Sequence, residues 1–294
     1  MQTQNMKRIL ILLIIGLSLS NCDQEEVIVH ENNLETLYND KTISNTELQA
    51  KSLAFIYSSN DNKLFGRILM AINKQPKPTI IFLHGNPGFE KNEDIGQALR
   101  RGGYNAVFFS YSGTWGNNGV FNYKNSINDL NSIVDYLIVN SKRLRIDKEN
   151  IYLCGFSMGA DIAVITGNKN RNIKGVISID PWNGFFELNN KNDSDLEKYI
   201  RNLEQRPCIN IESGAEYVAS ILDNRNMDLQ PILKNYSKPI IHIFSKEKSM
   251  NEFKNNCELA NQELKVIEAS DHSFSDKRIA LTNEIALWIK NHNQ

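Results

Sequence analysis

The chain has 294 residues, 41% of them hydrophobic and 23% charged, with a formal net charge of −1. This is enough apolar material for a sizeable buried core in one large α/β domain or two small ones, and it excludes a chain that is mainly disordered. No basic field favours nucleic acid, and neither a Cys-x-x-Cys pair nor a His-Glu-x-x-His helix appears, so no metal or organic cofactor is expected.

In chain order, Lys7-Arg8 and an apolar run of eleven residues from Ile9 to Leu19 come first. That run is too short to span a bilayer and reads as an export signal over residues 1–21. Ser18-Leu19-Ser20-Asn21-Cys22 resembles a bacterial lipobox, with Asn21 where glycine, alanine or serine is usual. The expectation is a lipid on Cys22 and a mature protein outside the cytoplasm, anchored to a membrane. Residues 22–50 are acidic and polar with little periodicity, which suits a tether.

The folded body begins near Lys51. Residues 51–57 and 64–72 are strand-like runs around a polar turn and predict a hairpin. Apolar runs at 79–83, 106–111, 151–154 and 175–179 then alternate with helical stretches at 94–101, 123–142 and after Gly155. Strands apolar throughout and separated by helices predict an α/β fold with a mostly parallel sheet covered on both faces. Residues 183–237 break the pattern with an Asn-rich, charged stretch and amphipathic segments, expected to form a helical cap inserted before the penultimate strand. A strand at 239–244, a helix at 251–262, a strand at 264–269 and a helix at 277–291 complete the chain, giving a domain over 51–292. Cys208 and Cys257 could pair in an oxidising compartment, which the sequence leaves open.

Gly155-Phe156-Ser157-Met158-Gly159 lies between an apolar strand and a helix, the context of a nucleophile elbow. A serine hydroxyl is a poor nucleophile near neutral pH and needs a histidine to take its proton and a third group to orient that histidine. His272 follows the last strand, where such a base belongs. His30 lies in the tether, His292 at the terminus and His242 inside a strand; His84 opens Leu83-His84-Gly85-Asn86-Pro87-Gly88, where a structural role is expected. A loop like this one supplies a backbone donor for an oxyanion. Pro87 has no N–H, so the donor is Asn86, with Gly88 as second choice, and the partner amide is that of Met158.

These pieces in this order resemble the α/β-hydrolase fold over residues 51–292, and most closely the bacterial hydrolases related to prolyl-oligopeptidase and dienelactone-hydrolase-like enzymes. Gln97 to Tyr104, Gly113-Thr114-Trp115-Gly116 and Asp271 to Asp276 carry the likeness beside the elbow and the His84 loop. The resemblance implies an exported serine hydrolase that cleaves an ester, thioester or amide of a small-molecule or peptide acyl substrate through an acyl-enzyme. The family places an aspartate after the strand 239–244, where this chain has Lys248. Glu247 is the first choice for the acid, and Asp180, at the end of the preceding strand, is the alternative. Tyr111 and Trp115 are candidates for lining the substrate pocket. The rival expectation is a catalytically silent binding protein with the same fold at the cell surface.

Overall fold

The computed structural model describes residues 34–39, 49–72, 74–256 and 262–293. The export signal, Cys22 and most of the tether lie outside the described residues, as does Cys257, the proposed partner of Cys208. One piece of the expected tether is packed on the body instead. Leu34–Leu37 forms a 3-10 turn, Leu37 is buried, Arg101 donates to the Leu37 carbonyl, and Tyr38 donates to Asn283 of the last helix.

Eight strands form one sheet in the order β1-β2-β4-β3-β5-β6-β7-β8. β1 (Lys51–Ser59) and β2 (Asn62–Met70) are an antiparallel hairpin closed by Asn60 and Asp61, both at positive φ, the primed turn whose twist matches its strands. β2 pairs antiparallel with β4 (Asn105–Phe109). From β4 through β3 (Lys77–Leu83), β5 (Ile146–Phe156), β6 (Gly175–Ile179), β7 (Ile240–Phe244) and β8 (Glu263–Val266) every pairing is parallel.

The parallel strands alternate by residue between two apolar layers. Ile81, Leu83, Val107, Phe109, Ile151 and Leu153 face one layer, closed by the helices Tyr123–Val139 and Met158–Lys169 and by the residues between β6 and β7. Ile80, Phe82, Ala106, Phe108, Tyr152 and Cys154 face the other, closed by Glu93–Arg101 and Arg278–His292. Both faces of the central parallel strands β4, β3, β6 and β7 and of the second half of β5 are therefore desolvated, which is why these strands read as unbroken apolar runs, whereas the edge strand β8 alternates and is partly exposed.

After β3 the chain moves outward to β4 and returns to β5 on the opposite side of β3. At such a reversal the loops leaving the carboxyl ends of β3 and β5 diverge and open a crevice. The residues between β6 and β7 form four helices, Gly184–Asn189, Asp193–Glu204, Gly214–Leu222 and Leu229–Lys234.

Candidate active site

Ser157 stands at the tip of the β5-to-helix turn with φ 55° and ψ −123°, a conformation that a non-glycine residue adopts only when its surroundings enforce it. The flanking glycines allow the enforcement. A Cβ on Gly155 would collide with the carbonyl of Gly159, and one on Gly159 would collide with the carbonyls of Leu83 and His84. The helix that follows Ser157 can thus lie directly against the end of β3.

Two backbone bonds carry the ladder past the ends of the strands: the Ser157 N–H donates to Ile179 (2.9 Å) and the Asp180 N–H to Ile243 (2.7 Å). Ser157 and Asp180 are therefore held on successive strand ends. Asp180 is buried, at φ 42°, and its carboxylate turns toward the end of β7. There it accepts from the Ser245 N–H (3.2 Å), the Ser245 hydroxyl (2.6 Å) and Nδ1 of His272 (2.6 Å). The contact with Asp180 fixes the His272 tautomer: Nδ1 carries the proton and Nε2 is left as an acceptor. The His272 ring packs on Phe156, with centroids 4.7 Å apart, and half of the side chain remains exposed.

The loop that carries His272 is fixed from below. Asp276 accepts from the Ser270 N–H and hydroxyl, Asp271 accepts from the Ser275 N–H, and Arg278 donates to the Ser273 carbonyl while forming a two-pronged pair with Asp94.

Glu247, the expected acid, is not beside the histidine. β7 ends at Phe244, the next turn presents Ser245 to Asp180, and Glu247 begins the helix Glu247–Asn256 as an exposed residue. Its N–H takes up Glu268. The alternative, Asp180, is the carboxylate that meets His272.

Gly85 abuts the elbow, since a Cβ there would lie 3.0 Å from Cβ of Ser157. The next residue is Asn86, whose backbone N–H donates to no acceptor among the described residues. Met158 is the first residue of its helix, so its N–H has no helical acceptor. His84 is buried, and its Nδ1 donates to the Gly85 carbonyl (2.7 Å); burial lowers its pKa to about 4, which leaves it neutral and structural. His242 is likewise buried, lowered to about 4 and bonded to Gln262.

Two cavities meet at Ser157 and His272. One, of about 220 Å³, is lined by Trp182, Phe186, Glu187 and Phe253 together with Asp180. The other, of about 180 Å³, lies between the Gly85–Glu90 loop and Ser273. Tyr111 lines neither: it is fully buried, stacked edge-on with His84 and Phe109 in the apolar layer. Trp115 stands beside the site rather than in it, donating through Nε1 to the Pro87 carbonyl (2.7 Å) and packing on Phe89. A larger cavity, about 480 Å³ around Asn131 and Thr166, is remote from these groups. Among the described residues no cluster of ligating side chains could hold a metal ion.

Sequence reasoning missed Ser245, Trp182 and Asp161. Asp161 is fully buried four residues after Ser157 and accepts from Tyr123 (3.0 Å), the Asn183 N–H (3.0 Å) and the Gly184 N–H (2.9 Å). Its signal was available: a carboxylate between Ala160 and Ile162 in an otherwise apolar helix requires internal partners.

A family model described as BD-FAE matches residues 68–210. No curated protein matches the chain. Among solved structures, Est1E from Butyrivibrio proteoclasticus with ferulic acid bound is 17% identical with a TM-score of 0.64, covering 81% of this chain and 98% of that one. The Pyrococcus furiosus esterase Pf2001 is 17% identical with a TM-score of 0.61, covering 86% and 96%. DcsB in complex with its substrate analogue is 17% identical with a TM-score of 0.61, covering 82% and 99%. The chain has an α/β-hydrolase fold of the kind carried by esterases.

Proposed function

We propose that the protein is a serine hydrolase that opens an ester, thioester or amide carbonyl through an acyl-enzyme. Ser157 is the nucleophile, His272 the base and then the acid, and Asp180 the group that orients His272. The observation that carries this reading is the 2.6 Å bond from His272 Nδ1 to buried Asp180, with Ser157 at the elbow lining the same two cavities.

In the first half-reaction the Ser157 oxygen bonds to the substrate carbonyl carbon while His272 Nε2 takes the hydroxyl proton. The carbonyl oxygen becomes an oxyanion held by the Asn86 and Met158 amides. Collapse breaks the bond to the leaving group, which departs with the proton from His272, and water then repeats the cycle on the acyl-serine. Asp180 stays ionised and stabilises the imidazolium. An ester is the favoured substrate, because the structural relatives named as esterases share this fold and Trp182, Phe186 and Phe253 offer an apolar wall to an acyl or leaving group.

A fluorophosphonate probe should label the wild type at Ser157, and p-nitrophenyl acetate turnover should vanish in Ser157→Ala. A folded wild type that neither reacts nor turns over would be a binding protein, and the reading would fail. We further place the mature protein outside the cytoplasm, held by a lipid on Cys22, on the strength of Lys7-Arg8, the apolar run and the cysteine that follows. Absence of palmitate labelling at Cys22 in cells would overturn the anchor.

A further inference from the structure

Asn86 and Met158 are far apart in sequence, and their side chains meet at one hydroxyl. Asn86 Nδ2 donates to the Tyr217 oxygen (3.2 Å), and the Tyr217 hydroxyl donates to the Met158 sulfur (3.4 Å). Tyr217 belongs to the helix Gly214–Leu222 of the segment between β6 and β7; it is buried, with its ring against Phe121 and Tyr123. From the other side Arg206 Nη1 donates to Asn86 Oδ1 at 2.6 Å, a short, charge-assisted bond. Both polar ends of the Asn86 amide are thus held by residues of that segment.

The same segment is tied to the rim by its backbone. Cys208 accepts from the Trp115 N–H (2.9 Å), Asn210 donates to Gly113 (2.6 Å), and Asn210 accepts from Phe121 (2.7 Å). Trp115 in turn donates to the Pro87 carbonyl, so the residue after Asn86 is held through the same strap.

We propose that Arg206 and Tyr217 are positioning residues for the oxyanion hole: they set the two backbone amides, of Asn86 and Met158, at the spacing a tetrahedral oxyanion requires. The proposal rests on the serine hydrolase reading. Oxyanion donors act through placement, and a misplacement on the order of 1 Å costs about a hundredfold in rate. Neither side chain lines the two cavities beside Ser157, so neither contributes to ground-state binding there. Their loss should lower kcat and leave KM alone.

The test uses Tyr217→Phe, Arg206→Gln, Asn86→Ala and the Asn86→Ala/Arg206→Gln pair in the full chain, with p-nitrophenyl acetate as substrate. Active sites are titrated with a fluorophosphonate so that kcat refers to folded, competent enzyme. The expected result is a kcat lower by about tenfold or more in Tyr217→Phe and in Arg206→Gln, with KM within about twofold. Among the described residues Arg206 reaches the loop only through the Asn86 side chain, so Arg206→Gln should change kcat less than about twofold once Asn86 is alanine. Unchanged kcat per titrated site, a loss confined to KM, or equal losses in both Asn86 backgrounds would each overturn the clamp while leaving the hydrolase reading intact. A wild type without turnover would overturn both.

Discussion

Asp180 accepts three hydrogen bonds in a buried position, one of them from His272. An amide in its place could not accept from all three donors and would present its own N–H to one of them, which favours the wrong imidazole tautomer. Asp180→Asn is therefore expected to lower kcat by about 10³-fold to 10⁴-fold at unchanged melting temperature within a few degrees. Glu247→Gln, on an exposed first turn, should stay within about twofold of the wild type. Steady-state kinetics on the two variants decides the matter, and the reverse ranking would return the acid to the strand-7 turn.

The β5 helix and the segment that follows β6 are coupled through Asp161. Its carboxylate joins the helix Met158–Lys169 to the Asn183 and Gly184 amides and to Tyr123. Burial pushes this carboxyl up to about 6, against the pull of its hydrogen bonds. Between its ordinary value near 4 and this raised one, the native state holds a proton that the unfolded chain has released. Stability from this group accordingly falls as pH rises through that window, by about 3 kcal/mol in full. Asp161→Asn does not titrate. The difference in urea-unfolding free energy, wild type minus variant, should drop between pH 4 and pH 6 and be flat above; a difference that is level throughout would remove Asp161 from this role.

At the same scale most elements were legible in the sequence. The central parallel strands were readable because both their faces are desolvated, and the elbow because only glycine fits where the helix meets β3. The helix placed at 251–262 begins instead at Glu247, since the turn after β7 is shorter than the expected one and closes on Ser245. That single turn also puts Glu247 on an exposed helix end and leaves Asp180 as the carboxylate that meets His272.

For the whole molecule, the proposed substrate selectivity rests on the segment between β6 and β7. It contributes Trp182, Phe186 and Glu187 to the larger of the two cavities beside Ser157, while Phe253 comes from the helix after β7. Trp182 stacks on Tyr199 of the inserted helices, so its ring is held as a wall. Truncating it removes apolar contact worth at least about 1.5 kcal/mol, or roughly tenfold in kcat/KM, for a substrate large enough to touch it. Trp182→Ala should lower kcat/KM about tenfold for a bulky aryl ester and less than about twofold for p-nitrophenyl acetate. Equal changes for both esters would mean that this cavity does not receive substrate.

The sequence by itself determined the α/β fold, the elbow at Ser157, the histidine after the last strand and the loop that carries Asn86, because each is written in local constraints: periodicity, a glycine-dependent turn, and order along the chain. Only the tertiary structure decided that Asp180 rather than Glu247 meets His272, that Tyr111 is core, and that Arg206 and Tyr217 reach Asn86. Those contacts join residues between 92 and 131 positions apart in the chain. Local pattern carries no information about such pairings; they are fixed by which strand ends lie side by side in the sheet and by how the inserted helices close over them.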